Sequence, residues 1–103
     1  MPLRITDGFD MEFIDVQWIH DDPEDPIRLV SELDAERYET RKLEFFANGV
    51  VGFASPSESF GGTGLGVVPV PPLSEINADP EFAGVAITAA QFEALWARHA
   101  KRT

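Results

Sequence analysis

The run His20-Asp21-Asp22-Pro23-Glu24-Asp25-Pro26 brings one imidazole and four carboxylates into seven consecutive residues. Oxygen-rich clusters hold hard divalent cations when the backbone wraps around the ion. Calcium loops achieve that wrap with alternating ligands and a glycine at the sharp turn. This run has no glycine and two stiffening prolines, so no metal site is expected. Its remaining uses are a solvated loop between two strands, or a negative surface that steers a basic partner. Asp21, Asp22, Glu24 and Asp25 are the candidate steering residues. A second charged stretch runs from Glu36 to Glu44. Strand alternation places Arg37, Glu39 and Arg41 on one face and Tyr38, Thr40, Lys42 and Glu44 on the other. With Glu32 opposite, Glu39 and Arg41 would build an ion-pair ladder across strands, worth about 0–1 kcal/mol per pair. Covered by a lid, the same three side chains would instead floor an anion- or peptide-binding site, since a guanidinium pairs carboxylates through two parallel hydrogen bonds.

The third stretch, Gly61-Gly62-Thr63-Gly64-Leu65-Gly66, has the glycine density of a phosphate-binding loop. Its context excludes that chemistry. A P-loop continues with Lys-Ser/Thr and a dinucleotide fingerprint continues into a helix, whereas Val67-Val68-Pro69 follows here. A flexible loop, or a lid over the Arg37/Glu39/Arg41 face, is the expectation. No cysteine is present, which removes disulfides, thiolate zinc sites and thiol nucleophiles. His20 and His99 are the only histidines and no nucleophile elbow accompanies them. No catalytic residue, metal ligand or cofactor is therefore assigned.

Charge narrows the class of partner. The 103-residue chain carries a net charge of −10, and 13 of its 18 acidic residues lie between Asp7 and Glu44. Such a surface repels phosphate backbones and anionic lipid and attracts cationic proteins. Nucleic acid and membrane are thus excluded as expected partners, and a basic protein is favoured. The N-terminus lacks the apolar core of a signal peptide, and no apolar run approaches the ~18 residues of a membrane span. A cytoplasmic protein is expected.

These groups need elements to position them. Alternation over residues 11–20 puts Ile14, Val16, Trp18 and His20 on one face of a strand. Asp21–Pro26 breaks it, Ile27–Leu33 forms a second strand, and a third runs from about Arg37 to Ala47. Asn48-Gly49 then predicts a type I′ hairpin returning through Val50–Ala54. Ser55–Gly66 reads as a long loop, Val67–Val70 as a short strand, and Leu73–Ala78 as a brief helix stopped by Asp79-Pro80. Thr88 and Gln91 form a capping box, with Ile87 and Phe92 placed for a hydrophobic staple. Phe92, Leu95, Trp96 and His99 follow helical spacing, and Arg98, Lys101 and Arg102 complement the dipole at the helix end. The expected fold is α+β: an antiparallel meander of four to five strands packed by a C-terminal helix. Residues 1–10 are an N-terminal extension and residues 11–103 a single domain.

Four segments together resemble a known family. They are Trp18-Ile19-His20-Asp21-Asp22-Pro23-Glu24-Asp25-Pro26, Ser31-Glu32-Leu33-Asp34, Arg37-Tyr38-Glu39-Thr40-Arg41-Lys42 and Leu73-Ser74-Glu75-Ile76-Asn77-Ala78-Asp79-Pro80-Glu81-Phe82. The pattern is similar to a family of short bacterial proteins described only as a domain of unknown function, over roughly Met11 to Trp96. The resemblance implies a bacterial, soluble, stand-alone domain and brings no activity or site with it. Function therefore rests on the residues. A small acidic domain without catalytic groups suits a protein-binding module, such as an immunity protein or inhibitor that neutralises a basic toxin, for example a nuclease. Its carboxylates would take the place of phosphates, with Phe13, Tyr38 or Phe60 as aromatic anchors. The alternatives are a small-ligand binder or minor enzyme using the charged sheet face under the Gly-rich lid, and a structural subunit of an assembly.

Overall fold

A computed structural model of the chain describes residues 11–101. The N-terminal extension assigned to residues 1–10, and Arg102, lie outside the described residues. Six strands form one antiparallel sheet: β1 (Glu12–Trp18), β2 (Arg28–Leu33), β3 (Glu39–Phe45), β4 (Val51–Ala54), β5 (Ser59–Phe60) and β6 (Phe82–Ile87). Their order is β5-β4-β3-β2-β1-β6, so the first five make the expected meander and β6 returns to pair with β1. Two helices complete the fold, α1 (Leu73–Ile76) and α2 (Ala89–His99). The architecture is α+β, as the sequence indicates, with one strand more than the largest expected number.

Both sheet faces are covered, which the strand patterns explain. On one face Phe13, Val30, Leu43 and Phe53 meet Phe92 of α2 in a buried cluster. Four of these side chains (Val30, Leu43, Phe53 and Phe92) are at most 1% exposed, and complete burial of such a side chain is worth roughly 1.5–3 kcal/mol. Ile14, Val16 and Leu33 face the other way and pack against Val70, Leu73, Ile76 and Phe82. That second layer is not a long helix. It is an irregular strap from Gly61 to Pro72 that leads into the single turn of α1. Phe13 is thus core, tilted against Phe92 at 5.3 Å between ring centroids, and not an exposed anchor.

The capping box of α2 forms as its residues dictate. Gln91 N–H donates to Thr88 Oγ1 at 3.0 Å and Thr88 N–H donates to Gln91 Oε1 at 2.8 Å. Ile87 joins the same cluster as Phe92, in line with a staple. One turn differs in type from expectation. The Asn48-Gly49 hairpin is not type I′, because only Gly49 takes a positive φ (93°). Gly49 N–H instead donates to Phe46 O and Phe46 N–H to Val50 O, the pattern of a type I turn followed by one left-handed residue. The β2–β3 connection repeats it: Arg37 N–H donates to Asp34 O, Asp34 N–H donates to Tyr38 O, and Arg37 has φ 70°. An arginine therefore occupies the position that glycine fills in the sister turn.

The side chain of Arg37 accounts for that choice. Its Nε–H donates to Val70 O and its Nη2 to Pro71 O, both at 2.8 Å, while Nη1 pairs with Glu12. Val70 N–H returns a bond to Arg37 O. The strained residue pins the strap to the sheet. Replacing Arg37 with glycine relieves roughly 1 kcal/mol of backbone strain but removes charge-assisted bonds worth about 1.5–3 kcal/mol each. Counting the two bonds to strap carbonyls and setting the more exposed Glu12 pair near zero, the expected outcome is a net loss of stability of at least about 2 kcal/mol, accompanied by faster amide exchange at Val70.

Two further differences concern the strap and the last strand. Val67–Val70 is irregular rather than a strand, with Val67 and Val68 exposed to solvent. Segment 82–87, unassigned from the sequence, is β6. Its outer backbone meets the C-cap residue of α1: Asn77 Nδ2–H donates to Gly84 O at 2.9 Å and Gly84 N–H donates to Asn77 Oδ1 at 2.6 Å. A Cβ at Gly84 would stand 2.9 Å from Leu73 Cδ2 and 3.2 Å from Val16 Cγ2, so a larger residue there would displace the Leu73 side chain.

Candidate functional site

The acidic loop is closed on its own histidine. His20 Nε2–H donates to Pro26 O at 2.8 Å, and Asp22 N–H donates to His20 Nδ1 at 3.0 Å. These two bonds require the neutral Nε2–H tautomer, because one ring nitrogen donates and the other accepts. Asp22 Oδ1 then accepts from Glu24 N–H, and Trp18 lies edge-on to the imidazole at 4.5 Å. Asp21, Asp22 and Glu24 are exposed and Asp25 is half-buried. None of these four carboxylates is ion-paired among the described residues. The cations of the sheet are all engaged elsewhere: Arg28 with Asp15, Arg37 with Glu12, Arg41 with Glu32 and Glu93, and Lys42 with Glu39 and Glu44. Among the described residues the loop's negative charge therefore has no compensating cation, and the two His20 bonds tie its ends together. Among the described residues no group of three or more His, Asp or Glu is arranged to hold a metal ion.

The charged face of Arg37, Glu39 and Arg41 does not form. Glu32 pairs with Arg41 and Leu33 with Glu39, leaving Thr40 as an extra residue in β3. Such a bulge reverses the inside-outside alternation of whatever precedes it. Arg41 lies under α2, where Nε and Nη2 donate to the two oxygens of Glu32 at 2.9 and 2.7 Å. Its guanidinium also reaches Glu93 and covers the rings of Phe92 and Trp96 at 4.9 and 5.1 Å. Hydrogen bonds and charge from both carboxylates raise the Arg41 pKa further still. Glu39 is on the opposite face, bound by Gly66 N–H at 2.6 Å and Lys42 Nζ at 3.1 Å. Arg37 sits in the turn. The three residues occupy three separate environments, and the donors of the two arginines and the carboxylate of Glu39 are committed to structural bonds. Of the expected ladder of Glu32, Glu39 and Arg41 the Glu32–Arg41 pair forms across β2 and β3, while Glu39 is turned away to Lys42 and Gly66.

Nor does the Gly-rich segment act as a lid over that face. Thr63, 3% exposed, donates from Oγ1 to Glu44 Oε1 at 2.9 Å. With Gly66 on Glu39, the segment is fastened across β3 and β4 on the side away from α2. Gly52 allows it so close: a Cβ there would lie 2.1 Å from Thr63 Oγ1.

A cavity of about 360 Å³ opens on this same side, between the sheet and the α1 layer. Its floor is Ile14 and Val16 of β1, Leu29 and Ser31 of β2, and Phe82 of β6. Val70, Pro71 and Ile76 form the opposing wall, and the carboxylates of Glu39, Glu75 and Asp79 complete the lining. Sequence reasoning located the apolar face of β1 but not this cavity. Its walls come from segments 70–82, whose packing depends on β6 lying beside β1.

Comparison with known proteins places the whole of this arrangement in one family. The model of a domain of unknown function, DUF6881, matches residues 12–101. The chain belongs to the DUF6881 family. No curated protein and no solved structure matches it. The DUF6881 match begins at the first residue of β1 and ends just beyond α2, so the sheet, both covering layers, the acidic loop and the cavity are all parts of the family domain. Among the described residues of this DUF6881 protein no helix is long and apolar enough to cross a membrane.

Proposed function

We propose that the protein is a binding module for a basic protein partner. One observation carries the reading: Asp21, Asp22 and Glu24 stand exposed on a loop fixed by His20, without a compensating cation among the described residues. Ordered, unpaired carboxylates attract a cationic surface over several ångströms and lose little conformational freedom on docking. Tyr38 and Phe60, each about two-fifths exposed, remain available as aromatic anchors. A nuclease is one partner that fits, because its phosphate-binding surface would meet these carboxylates in place of a nucleic acid. An immunity or inhibitor role is the corresponding biology, exercised in a cytoplasmic setting.

The test uses the tagged protein as bait in extract of its host at low salt. The expected result is one basic protein, released by salt. A variant carrying Asp21→Asn, Asp22→Asn, Glu24→Gln and Asp25→Asn should slow its association tenfold or more, as removal of steering charge does. An unchanged association rate would exclude the loop from recognition.

A further inference from the structure

The cavity between the sheet and the α1 layer is lined mainly by apolar residues, and its charged lining residues are all of one sign. Glu39, Glu75 and Asp79 contribute carboxylates and no Lys or Arg lines it. Glu39 is already bound by Gly66 N–H and Lys42 Nζ. Asp79 uses Oδ1 to accept from Glu81 N–H at 2.9 Å, and its other oxygen has no partner among the described residues. Glu75 is exposed, and its carboxylate makes no hydrogen bond or ion pair with any described residue. Unspent negative charge is therefore concentrated at Glu75 and Asp79.

An independent feature lies on the floor. Ser31 is only 4% exposed, lines the cavity, and its hydroxyl has no hydrogen-bond partner among the described residues. Among the described residues no fully buried side-chain polar atom lacks a partner, so the Ser31 hydroxyl is reached from the cavity, where it is a ready point for a ligand's polar group. The volume, about 360 Å³, falls within the range of small-molecule sites. An anion placed here would lose its hydration beside like charges, which excludes carboxylates and phosphates.

We infer that this cavity binds a small organic cation, an ammonium group carried on an aromatic or aliphatic body. The ammonium sits between Glu75 and Asp79, the body lies on Ile14, Val16 and Phe82, and a polar substituent on the body meets the Ser31 hydroxyl. Phe82 adds a ring face for the cation. None of the acidic-loop carboxylates lines the cavity, so the site stands whether or not that loop binds a protein.

Titration of the ¹⁵N-labelled protein with tyramine, 2-phenylethylamine, 2-phenylethanol and 3-phenylpropionate, followed by amide chemical shifts, tests the site. A short peptide with a single lysine and blocked ends forms a further arm, separating a free amine from a partner's side chain. Both amines should give saturable shifts at Ser31, Val16 and Phe82, with the alcohol and the acid at least tenfold weaker. Glu75→Gln combined with Asp79→Asn should weaken amine binding tenfold or more, the size of a charge-assisted hydrogen bond, while the unliganded spectrum stays folded. Ser31→Ala should erase any advantage of tyramine over phenylethylamine. Stronger binding of the lysine peptide than of the free amines would overturn the small-molecule assignment. Equal binding of alcohol and amine, or no saturation by either amine below about 10 mM, would overturn the site itself.

Discussion

Arg41→Ala should lower stability by about 3 kcal/mol, at the low end for breaking a buried ion pair. The physical reason is what remains. Glu32 has a side chain only 12% exposed and would be left without its counter-charge, while Phe92 and Trp96 lose the guanidinium that covers them. Both partners retain some solvent contact, which keeps the loss from reaching the upper end of the range. For a domain of this size that corresponds to a fall in melting temperature of roughly 12–24 °C. Adding Glu32→Gln to Arg41→Ala should recover part of the loss by removing the stranded charge. A change below about 1 kcal/mol in Arg41→Ala would mean that the cluster behaves like an ordinary surface pair.

The same pair sets an acid limb. Burial pushes the Glu32 carboxyl upward, but hydrogen bonds from Arg41 and Thr40, with the charge of Arg41, outweigh it and hold the group below its usual range. A carboxyl depressed in the folded state contributes stability that is complete above its unfolded pKa, about 4.3. That contribution is lost as pH falls through the lower folded value. Arg41→Ala removes the cause of the depression and should flatten this limb. His99 acts in a separate window. Burial, with Arg98 and Arg28, holds its imidazole below the ordinary value, so stability also declines as pH drops from about 6.5 towards that lower value.

Gly52→Ala should be comparably damaging for a different reason. The added methyl would stand 2.1 Å from Thr63 Oγ1, 3.2 Å from Thr63 Cβ and 3.0 Å from the backbone oxygen of Phe60. A rotamer change moves Oγ1 but neither Cβ nor the backbone, so β5 and the start of the strap must lift from β4. Gly61 admits no compensating approach, since its own α-carbon already faces Gly52 and its φ is 74°. Overpacking of this kind costs about 1–3 kcal/mol, to which the lost Thr63–Glu44 hydrogen bond adds roughly 1. Thr63→Gly should be strongly non-additive with Gly52→Ala, because the double variant opens the space that the methyl needs. Strict additivity in urea unfolding would show that the contact is not the source of the loss.

The parts of this fold that were legible in the sequence are those where a local signal and the tertiary demand coincide. Thr88, Gln91 and the Phe92/Leu95/Trp96 stripe announce α2, and the alternation of Ile14 and Val16 announces a buried face. β6 was not legible because Ala83, Gly84 and Ala86 interrupt the strand formers Phe82, Val85 and Ile87 and break their alternation. The bulge at Thr40 was equally silent. Nothing in Arg37-Tyr38-Glu39-Thr40-Arg41 declares that one residue is left out of the ladder, and that single omission divides the expected charged face. The acidic loop could be read as exposed charge, but the role of His20 as its clasp depends on Pro26 returning to the ring. The cavity was beyond reach, since it lies between segments far apart in the chain.

The amide of Asn77 has a consequence for how this molecule can associate. Antiparallel pairing turns alternate backbone groups of an edge strand outward, unpaired and able to recruit a foreign strand. On β6 the outward N–H and C=O of Gly84 are both taken by Asn77, and Phe82 N–H is held by Asp79 O. At the opposite edge β5 is two residues long. A sheet finished in this way gives little purchase to templated growth, whether by a partner's extended peptide or by further copies of itself. Contacts with other molecules then depend on side chains that discriminate by shape and charge, and a chain of net charge −10 can meet other surfaces without becoming a seed for fibres.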